Sequence, residues 1–304
     1  MLLLFEQILN GVQLGVTLFL LAAGLTLVFG IMNLINLAHG SLYMIGAYAA
    51  ASVIQYSGSY WLGLLAALVA AALVGMAIEI VVLRRLYPRD HLDQVLATFG
   101  LILFINEATR ILWGRQPLFL DVPAALSHTV EIFPGASYPA YRLALIAVGI
   151  LVALFLYILI QRTRLGMLIR AGASNREMVA ALGVNVKLLY TLVFGLGALL
   201  AGLAGVITGP ILAVEVGMGE SILILTFVVV VIGGIGSVRG ALIGALLVGL
   251  VDTLGRAFLP MLFQQFLPTA QGQGAGAAVA SIAVYLLMAL VLALKPQGLF
   301  PAHD

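Results

Sequence analysis

The chain has 304 residues, of which 63% are hydrophobic and 9% are charged, and its mean hydropathy is +1.19. This composition excludes a soluble globular chain and predicts a polytopic membrane protein. The absence of cysteine excludes a disulfide framework and thiolate metal ligands, and the net charge of +2 gives no reason to expect a nucleic-acid partner.

Apolar segments of membrane-spanning length follow one another along the chain. Because a bilayer core needs about 20 apolar residues per helix, we place spans near residues 7–30, 38–56, 61–84, 94–113, 142–161, 188–209, 221–236, 240–258 and 277–294. The first segment has no basic residues ahead of it and is expected to be a retained helix. The stretch from Gly30 to Tyr43 is either a broken or re-entrant helix or a turn between two spans, so the count is eight or nine. The predicted fold is an all-α transmembrane helical bundle, with residues 1–304 as a single membrane domain.

Most lysines and arginines fall in loops that the order of spans puts on one side of the membrane. Residues 84–93 and 162–187, together with Arg239 and Lys295, contain ten of the 14 cations. Cations in short loops mark the cytoplasmic side. We therefore expect these loops and the C-terminus to be cytoplasmic, with two Pro- and Gly-rich segments, 114–141 and 259–276, as short caps outside.

The longest polar interval away from the termini is RTRLGMLIRAGASNREMVAALGVNVK, residues 162–187. Ser174 and Glu177 have the S-x-x-E spacing of a capping box, which predicts a helix from Asn175 to Leu182. Gly183 would end this helix in the left-handed conformation. A helix of about two turns is too short to be stable alone in water, so it must pack on something.

The first break in the apolar pattern contains polar residues that recur at i, i+3, i+7 and i+10 from Asn33. On a continuous helix they would form one polar stripe, which in a bilayer must face protein or water. Each asparagine by itself is compatible with hydrogen bonding between helices. For the segment as a whole we favour a translocation path, with Asn33, Asn36, His39, Gly40, Ser41 and Tyr43 as its candidate residues.

The second break is rich in glycine. Gly236, Gly240 and Gly244 recur at four-residue spacing, which predicts a face of small residues for close helix packing. The nearest approach to a nucleotide-binding fingerprint in this stretch is one residue too long and does not lie between a strand and a helix.

The charged residues inside the spans have partners nearby in the sequence, two of them at helical spacing and Glu79 through reach toward the interface. No carboxylate is left unpaired at mid-membrane, which argues against an ion-coupled carrier but leaves it open, since backbone carbonyls also hold sodium. The predicted pairs are Glu79 with Arg84, Glu107 with Arg110, and Asp252 with Arg256.

Enzymatic motifs are absent from the sequence. There is no H-E-x-x-H, no G-x-S-x-G and no G-x-x-x-x-G-K-[ST], and the four histidines lack metal-ligand spacing. The only lysines are Lys187 and Lys295. We therefore expect a chain without catalytic residues, metal or cofactor, so that any ATP hydrolysis must come from another subunit.

Residues 24–48, GLTLVFGIMNLINLAHGSLYMIGAY, resemble the N-terminal signature of the Liv-type permeases of branched-chain amino acid ABC importers. The stretch from Arg162 to Gly183 resembles the cytoplasmic loop of this family, and the stretch from Gly233 to Gly249 resembles its late glycine-rich helix. Lys295 to Pro301, KPQGLFP, resembles its C-terminal ending. The resemblance covers most of the chain.

The resemblance implies one subunit of an importer in the bacterial inner membrane. Its expected partners are a second, LivM-like permease, two cytoplasmic ATP-binding subunits and an external substrate-binding protein. Leucine, isoleucine and valine are the implied substrates. A urea or short-amide ABC permease is the close alternative, while an ion-coupled secondary transporter and a structural or channel subunit are the alternatives from other classes.

The resemblance also implies that the polar interval contains the coupling helix, which docks in a cleft of the ATPase. ABC permeases carry Glu-Ala-Ala, three residues and then Gly at this helix. Here Glu177 and Gly183 keep the outer positions, while Met178 and Val179 replace the two alanines, which leaves the register of the helix open. An apolar side of Met178, Val179 and Leu182 would face the ATPase, arginines would meet its acidic surface, and Glu177 would cap its own helix. The expected coupling residues are Arg170, Ser174, Arg176, Glu177, Met178, Val179, Leu182 and Gly183.

Overall fold

A computed structural model describes residues 2–133 and 135–301 of the chain. These residues form eleven α-helices and one antiparallel hairpin. The helices are α1 (Leu2–Met32), α2 (His39–Ser57), α3 (Tyr60–Val81), α4 (His91–Trp113), α5 (Ala140–Arg162), α6 (Arg164–Ser174), α7 (Arg176–Ala181), α8 (Val186–Thr208), α9 (Met218–Gly233), α10 (Val238–Phe263) and α11 (Thr269–Leu294), and the strands are β1 (Thr129–Phe133) and β2 (Ala136–Pro139).

Each of the nine predicted spans coincides with one of the longer helices. Within the described residues, seven helices are long and apolar enough to cross a membrane. The helix α9 is apolar but has only 16 residues, and α2 has 19 residues and a larger share of polar ones. The prediction of an all-α bundle with eight or nine spans is therefore confirmed, with a small hairpin added in the loop before α5.

The break between α1 and α2 separates two distinct helices. Asn33 has φ of 50°, a left-handed conformation that asparagine tolerates better than most residues. The side-chain oxygen of Asn36 then accepts the backbone N–H of Ala38 at 3.1 Å, the geometry of an Asx turn. Two asparagines thus provide the local reason why the chain stops and restarts as a helix here.

The chain folds into two compact units, of which the larger contains residues 20–122 and 151–224. In it, α2, α3 and α8 pack through small residues. A Cβ atom on Gly46 of α2 would lie 2.5 Å from the Cα of Gly202 in α8, and one on Gly202 would lie 2.5 Å from the Cβ of Ala71 in α3. Small residues at such crossings let helix backbones approach closely, which is how helices associate inside a membrane.

The other unit contains the described residues among 2–19, 123–150 and 225–301. Within it, Gly15 of α1 leaves room for the backbone of α10, because a Cβ there would lie 2.8 Å from the carbonyl oxygen of Ala245. The segment after α11 folds back on the end of α9. Leu299 donates its N–H to the Ile232 carbonyl at 2.8 Å and Phe300 donates to Gly233 at 3.0 Å, so carbonyls that end a helix find partners.

Candidate functional site

The polar interval 162–187 folds as two short helices. The hydroxyl of Thr163 accepts the N–H of Gly166 at 3.1 Å and starts α6, and the side-chain oxygen of Asn175 accepts the N–H of Met178 at 2.9 Å and starts α7. Ser174 is therefore not the cap, as the S-x-x-E spacing predicts, but the last residue of α6. Asparagine caps as well as serine does, and the extended backbone at Asn175 (φ −153°) is the conformation that a cap requires.

The C-terminal end of α7 is a complete Schellman motif. Gly183 has φ of 85°, the left-handed conformation that the sequence predicts. Its N–H binds the Ala180 carbonyl at 3.0 Å, and the N–H of Val184 binds the Val179 carbonyl at 3.3 Å. A capped start and a closed end hold this six-residue helix in one conformation.

The apolar residues of α7 face in two directions. Met178 and Leu182 are 58% and 77% exposed, whereas Val179 is 5% exposed. The expectation that all three form one outward apolar side is wrong for Val179, because α7 packs its Val179 side on neighbouring parts of the chain, including α6 and α8. Of these three side chains, Met178 and Leu182 therefore face outward and Val179 does not.

The charged residues around α7 are exposed at the surface of the chain. Arg170 and Arg176 are both exposed, and Arg170 also donates to the carbonyl of Ile160 at the end of α5. Glu177 is exposed in the first turn of α7, where a carboxylate is favoured by the helix dipole. Because Asn175 is the cap, Glu177 lies one position earlier in the helix than a capping box requires.

A buried carboxylate lies at the end of α3. Glu79 is wholly buried and receives two hydrogen bonds from Arg84, at 3.2 and 2.9 Å, and one from the hydroxyl of Tyr87 at 2.8 Å. Thr191 of α8 lies 2.7 Å from the other carboxylate oxygen and also 2.7 Å from the Arg84 guanidinium. The predicted pairing of Glu79 with Arg84 is confirmed. Burial, and then the hydrogen bond to Glu79, raises the pKa of Tyr87, which keeps its hydroxyl a donor.

The buried tyrosine of α8 joins three elements. The side chain of Arg176 in α7 lies beside the hydroxyl of Tyr190, and this hydroxyl donates to the carbonyl oxygen of Ile31 in the last turn of α1 at 3.4 Å. The Tyr190 ring meets the Tyr87 ring edge to face, with centroids 5.3 Å apart. The sequence does not predict a role for Tyr87, Tyr190 or Thr191, because their only signal is that they are polar residues at the ends of apolar segments.

The candidate path residues do not form one stripe. Residues 33–36 are not helical, so the spacing from Asn33 to Tyr43 does not place them on one helix face. Asn33 is exposed, while Asn36, His39, Gly40, Ser41 and Tyr43 are buried within the larger unit. Gly40 packs directly on the start of α9, since a Cβ there would overlap the Gly219 carbonyl oxygen.

The three glycines of the second break divide between a turn and a helix. Gly236 lies in the turn between α9 and α10 with φ of 84°, so it is not on a packing face, contrary to the prediction. Gly240 and Gly244 lie in α10 and face α9. A Cβ atom on Gly240 would overlap the Gly233 oxygen, and one on Gly244 would lie 2.7 Å from the Val229 oxygen.

The remaining predicted ion pairs are present. Arg256 lies 2.9 Å from Asp252, which is buried, and Arg110 pairs with Glu107 in α4. Buried carboxylates of the described residues, Glu79 and Asp252, are thus each matched by an arginine. Within the part of the chain that the structure describes, no group of three or more His, Asp or Glu residues could hold a metal ion.

These features define a class of protein. The chain has long apolar helices that pack through glycine and alanine, buried charges in pairs, and a short capped helix in a polar interval. This combination is typical of a polytopic α-helical membrane protein. The chain matches, over residues 7–294, the family described as "Branched-chain amino acid transport system / permease component", and it belongs to that family.

Similarity to individual proteins agrees with the family. The chain is 30% identical to the high-affinity branched-chain amino acid transport system permease protein LivH of Escherichia coli K12, over 97% of this chain and 94% of that protein. It is 33% identical to the permease protein BraD of Pseudomonas aeruginosa, over 82% and 85%. The ribose import permease protein RbsC of Escherichia coli K12 is 26% identical over 77% and 72%. No solved structure matches the chain.

Proposed function

We propose that this chain is the permease subunit of an ATP-binding cassette importer that moves leucine, isoleucine and valine across the bacterial inner membrane. The observation that carries the proposal is the family match over residues 7–294, joined to 30% identity with a LivH permease along nearly the whole of both chains. The ribose permease is less similar and matches a shorter part of the chain, so a sugar is the weaker substrate class.

The proposed assembly contains a second, related permease, two cytoplasmic ATP-binding subunits and an external substrate-binding protein. The chain has no phosphate-binding motif of its own, so its role is to receive motion from the ATPases and not to hydrolyse ATP. The loops rich in lysine and arginine, including residues 162–187, and the C-terminus then face the cytoplasm.

In this proposal α7 is the helix that docks on an ATPase. Its outward surface combines two large exposed apolar side chains, Met178 and Leu182, with the exposed basic residue Arg176. Such a surface fits an apolar cleft bordered by acidic residues, since burying the apolar pair supplies binding energy and the charge sets orientation. The Asn175 cap and the Gly183 motif keep the helix rigid, which a contact that transmits motion requires.

The docked helix also supplies the mechanism. When ATP closes the two ATPases, each cleft moves, and a docked rigid helix must move with it. The helix is fixed to α6 and to α8, so its displacement reaches the membrane-spanning part of the larger unit. Because the buried carboxylates are already paired with arginines, the observations favour an ATP-driven subunit over an ion-coupled carrier.

The docking surface is tested by a double variant, Met178→Asp with Leu182→Asp, in the co-expressed importer. We expect tagged permease to lose its co-purifying ATPase while remaining in the membrane at normal levels. Phe266→Asp is the matched control, because Phe266 is 78% exposed, as Leu182 is 77% exposed, but lies in the loop before α11. Unchanged ATPase recovery with the double variant would contradict the assignment of α7.

The substrate is tested by uptake into proteoliposomes that contain both permeases. The ATPases are placed on the side of the membrane that carries the cytoplasmic face of the permeases, and the binding protein is added on the opposite side. Labelled leucine uptake should require ATP and the binding protein, and unlabelled isoleucine and valine should compete. Uptake that follows a sodium or proton gradient with this chain alone would establish an ion-coupled carrier instead. Competition by urea in place of the amino acids would establish the amide alternative.

A further inference from the structure

The first residue of α7 is connected to the last turn of α1 through one buried side chain. The Arg176 side chain lies beside the Tyr190 hydroxyl, and that hydroxyl donates to the carbonyl oxygen of Ile31 at 3.4 Å. Tyr190 is 4% exposed, and Ile31 lies two residues before Asn33, where the helix ends. This set of three residues is called the Arg176–Tyr190–Ile31 link below.

The link is held in place from the side. The Tyr190 ring packs edge to face on the Tyr87 ring, and the Tyr87 hydroxyl lies 2.8 Å from Glu79 and 3.6 Å from the sulfur of Met32. Glu79 in turn is fixed by Arg84 and by Thr191, the residue after Tyr190. A tyrosine side chain has only two torsions, so with its ring and hydroxyl both held it behaves as a rigid strut.

The segment between α1 and α2 is also connected to the loop between α3 and α4, which contains Tyr87. The side-chain oxygen of Gln94 lies 3.4 Å from the N–H of Ile35, and the Gln94 amide donates to the carbonyls of Leu86 and Arg89 at 3.3 and 3.2 Å. Gln94 is 3% exposed. Tyr190 thus contacts the chain just before the short non-helical segment that follows α1, and Gln94 contacts the chain inside that segment.

We propose that Tyr190 is a positioning residue that transmits displacement of α7 to the break between α1 and α2, so that ATPase motion changes the geometry of residues 33–38. The inference rests on the proposed function, since it requires α7 to be the docked helix. Residues 33–38 are suited to respond, because their backbone is not locked by a helical hydrogen-bond ladder and a hinge needs only a few such residues. The packed helices on either side have no comparable freedom.

The test is the number of substrate molecules transported per ATP hydrolysed in the reconstituted importer. Tyr190→Phe keeps the ring and its packing on Tyr87 but removes the hydroxyl, and with it the hydrogen bond to the Ile31 carbonyl and the contact with Arg176. We expect ATPase co-purification to be unchanged, ATP hydrolysis to stay within about twofold, and transport per ATP to fall about tenfold, the effect of losing one buried hydrogen bond. Tyr157→Phe is the control, since Tyr157 is 57% exposed on α5 and should change nothing.

A double variant separates the link from general damage. Adding Tyr190→Phe to Arg176→Gln should lower transport per ATP no further than Arg176→Gln alone, because the loss of Arg176 already breaks the link, whatever it also does to ATPase docking. Normal transport per ATP in Tyr190→Phe would overturn the inference while leaving the proposed function intact. Parallel loss of ATPase recovery and transport in Tyr190→Phe would also overturn it, since that result indicates a purely structural role. Failure of the unaltered chain to recruit an ATPase would instead remove the proposed function.

Discussion

Arg84 neutralises a carboxylate that has no contact with solvent: its Nη2 atom lies 2.9 Å from Oε2 of Glu79, whose side chain is 0% exposed. Removing one partner of a buried ion pair strongly destabilises a protein, because it leaves an unpaired charge, whereas replacing both partners by apolar residues often does not. We predict that Arg84→Met lowers the free energy of unfolding by about 3 kcal/mol. Thermal unfolding of the detergent-solubilised protein, followed by fluorescence-detected gel filtration, should show this loss as a lower melting temperature.

The control for that prediction is Arg110→Met. Arg110 pairs with Glu107, but both side chains are about half exposed, at 42% and 54%. The loss of stability in Arg110→Met should therefore be small. Glu79→Gln combined with Arg84→Met should recover part of the stability. If the Arg84 variant unfolds at the same temperature as the Arg110 variant, the buried pair does not stabilise this protein.

Close helix crossing at Gly46 gives a second prediction. Gly46→Val would force side-chain atoms into the backbone of Gly202, because even a Cβ would lie 2.5 Å from its Cα. We expect a loss of about 3 kcal/mol or failure to accumulate in the membrane. Gly100→Val is the matched control, since nothing lies within 4 Å of a Cβ at Gly100 in α4. Equal expression and melting of both variants would contradict the packing of α2 on α8.

The cap at the start of α7 gives a third prediction. Asn175→Ala removes the side-chain oxygen that holds the Met178 N–H, and should cost about 1 kcal/mol of helix stability. Ser174→Ala should have little effect, because Ser174 ends α6 and caps nothing. Hydrogen exchange of residues 178–182 measures both, with exchange about fivefold faster only in the Asn175 variant. Faster exchange in the Ser174 variant instead would restore the capping box.

The segment after α11 gives a fourth prediction. Its backbone supplies the donors for the Ile232 and Gly233 carbonyls, and the Arg239 guanidinium lies 5.1 Å from the centre of the Phe300 ring. A chain shortened to end at Lys295 should lose about 2 kcal/mol, roughly the value of two hydrogen bonds. A chain shortened to end at Pro301 keeps every one of these contacts and should melt normally. Similar melting of both shortened chains would show that the segment does not stabilise the end of α9.

Much of the fold could be predicted, because in a membrane protein the length of each apolar segment indicates where a helix lies. The positions of the long helices follow from apolar length, since an apolar segment of about 20 residues spans a bilayer as a helix that satisfies its own backbone polar groups. Ion pairs such as Asp252 with Arg256 also follow, because they depend only on helical spacing. The left-handed Gly183 follows from its place after a short apolar pattern.

Other features could not be predicted, because the local sequence is equally compatible with more than one structure. Ser174 and Asn175 are both good caps, but in the structure Ser174 ends α6 and Asn175 caps α7. Gly236 has the same spacing as Gly240 and Gly244 but falls in a turn. The polar stripe from Asn33 assumed a continuous helix, which the backbone at Asn33 does not allow.

The sequence alone determined the kind of protein, the order of its helices and the interval that contains α7, because these depend on composition and on spacing along the chain. Only the tertiary structure decided which face of α7 is free, that Val179 points inward, and that Tyr190 meets both Arg176 and Ile31. Tyr190 and Ile31 are separated by 159 positions in the sequence. Periodicity describes one helix at a time, whereas such contacts are fixed by how helices pack against each other.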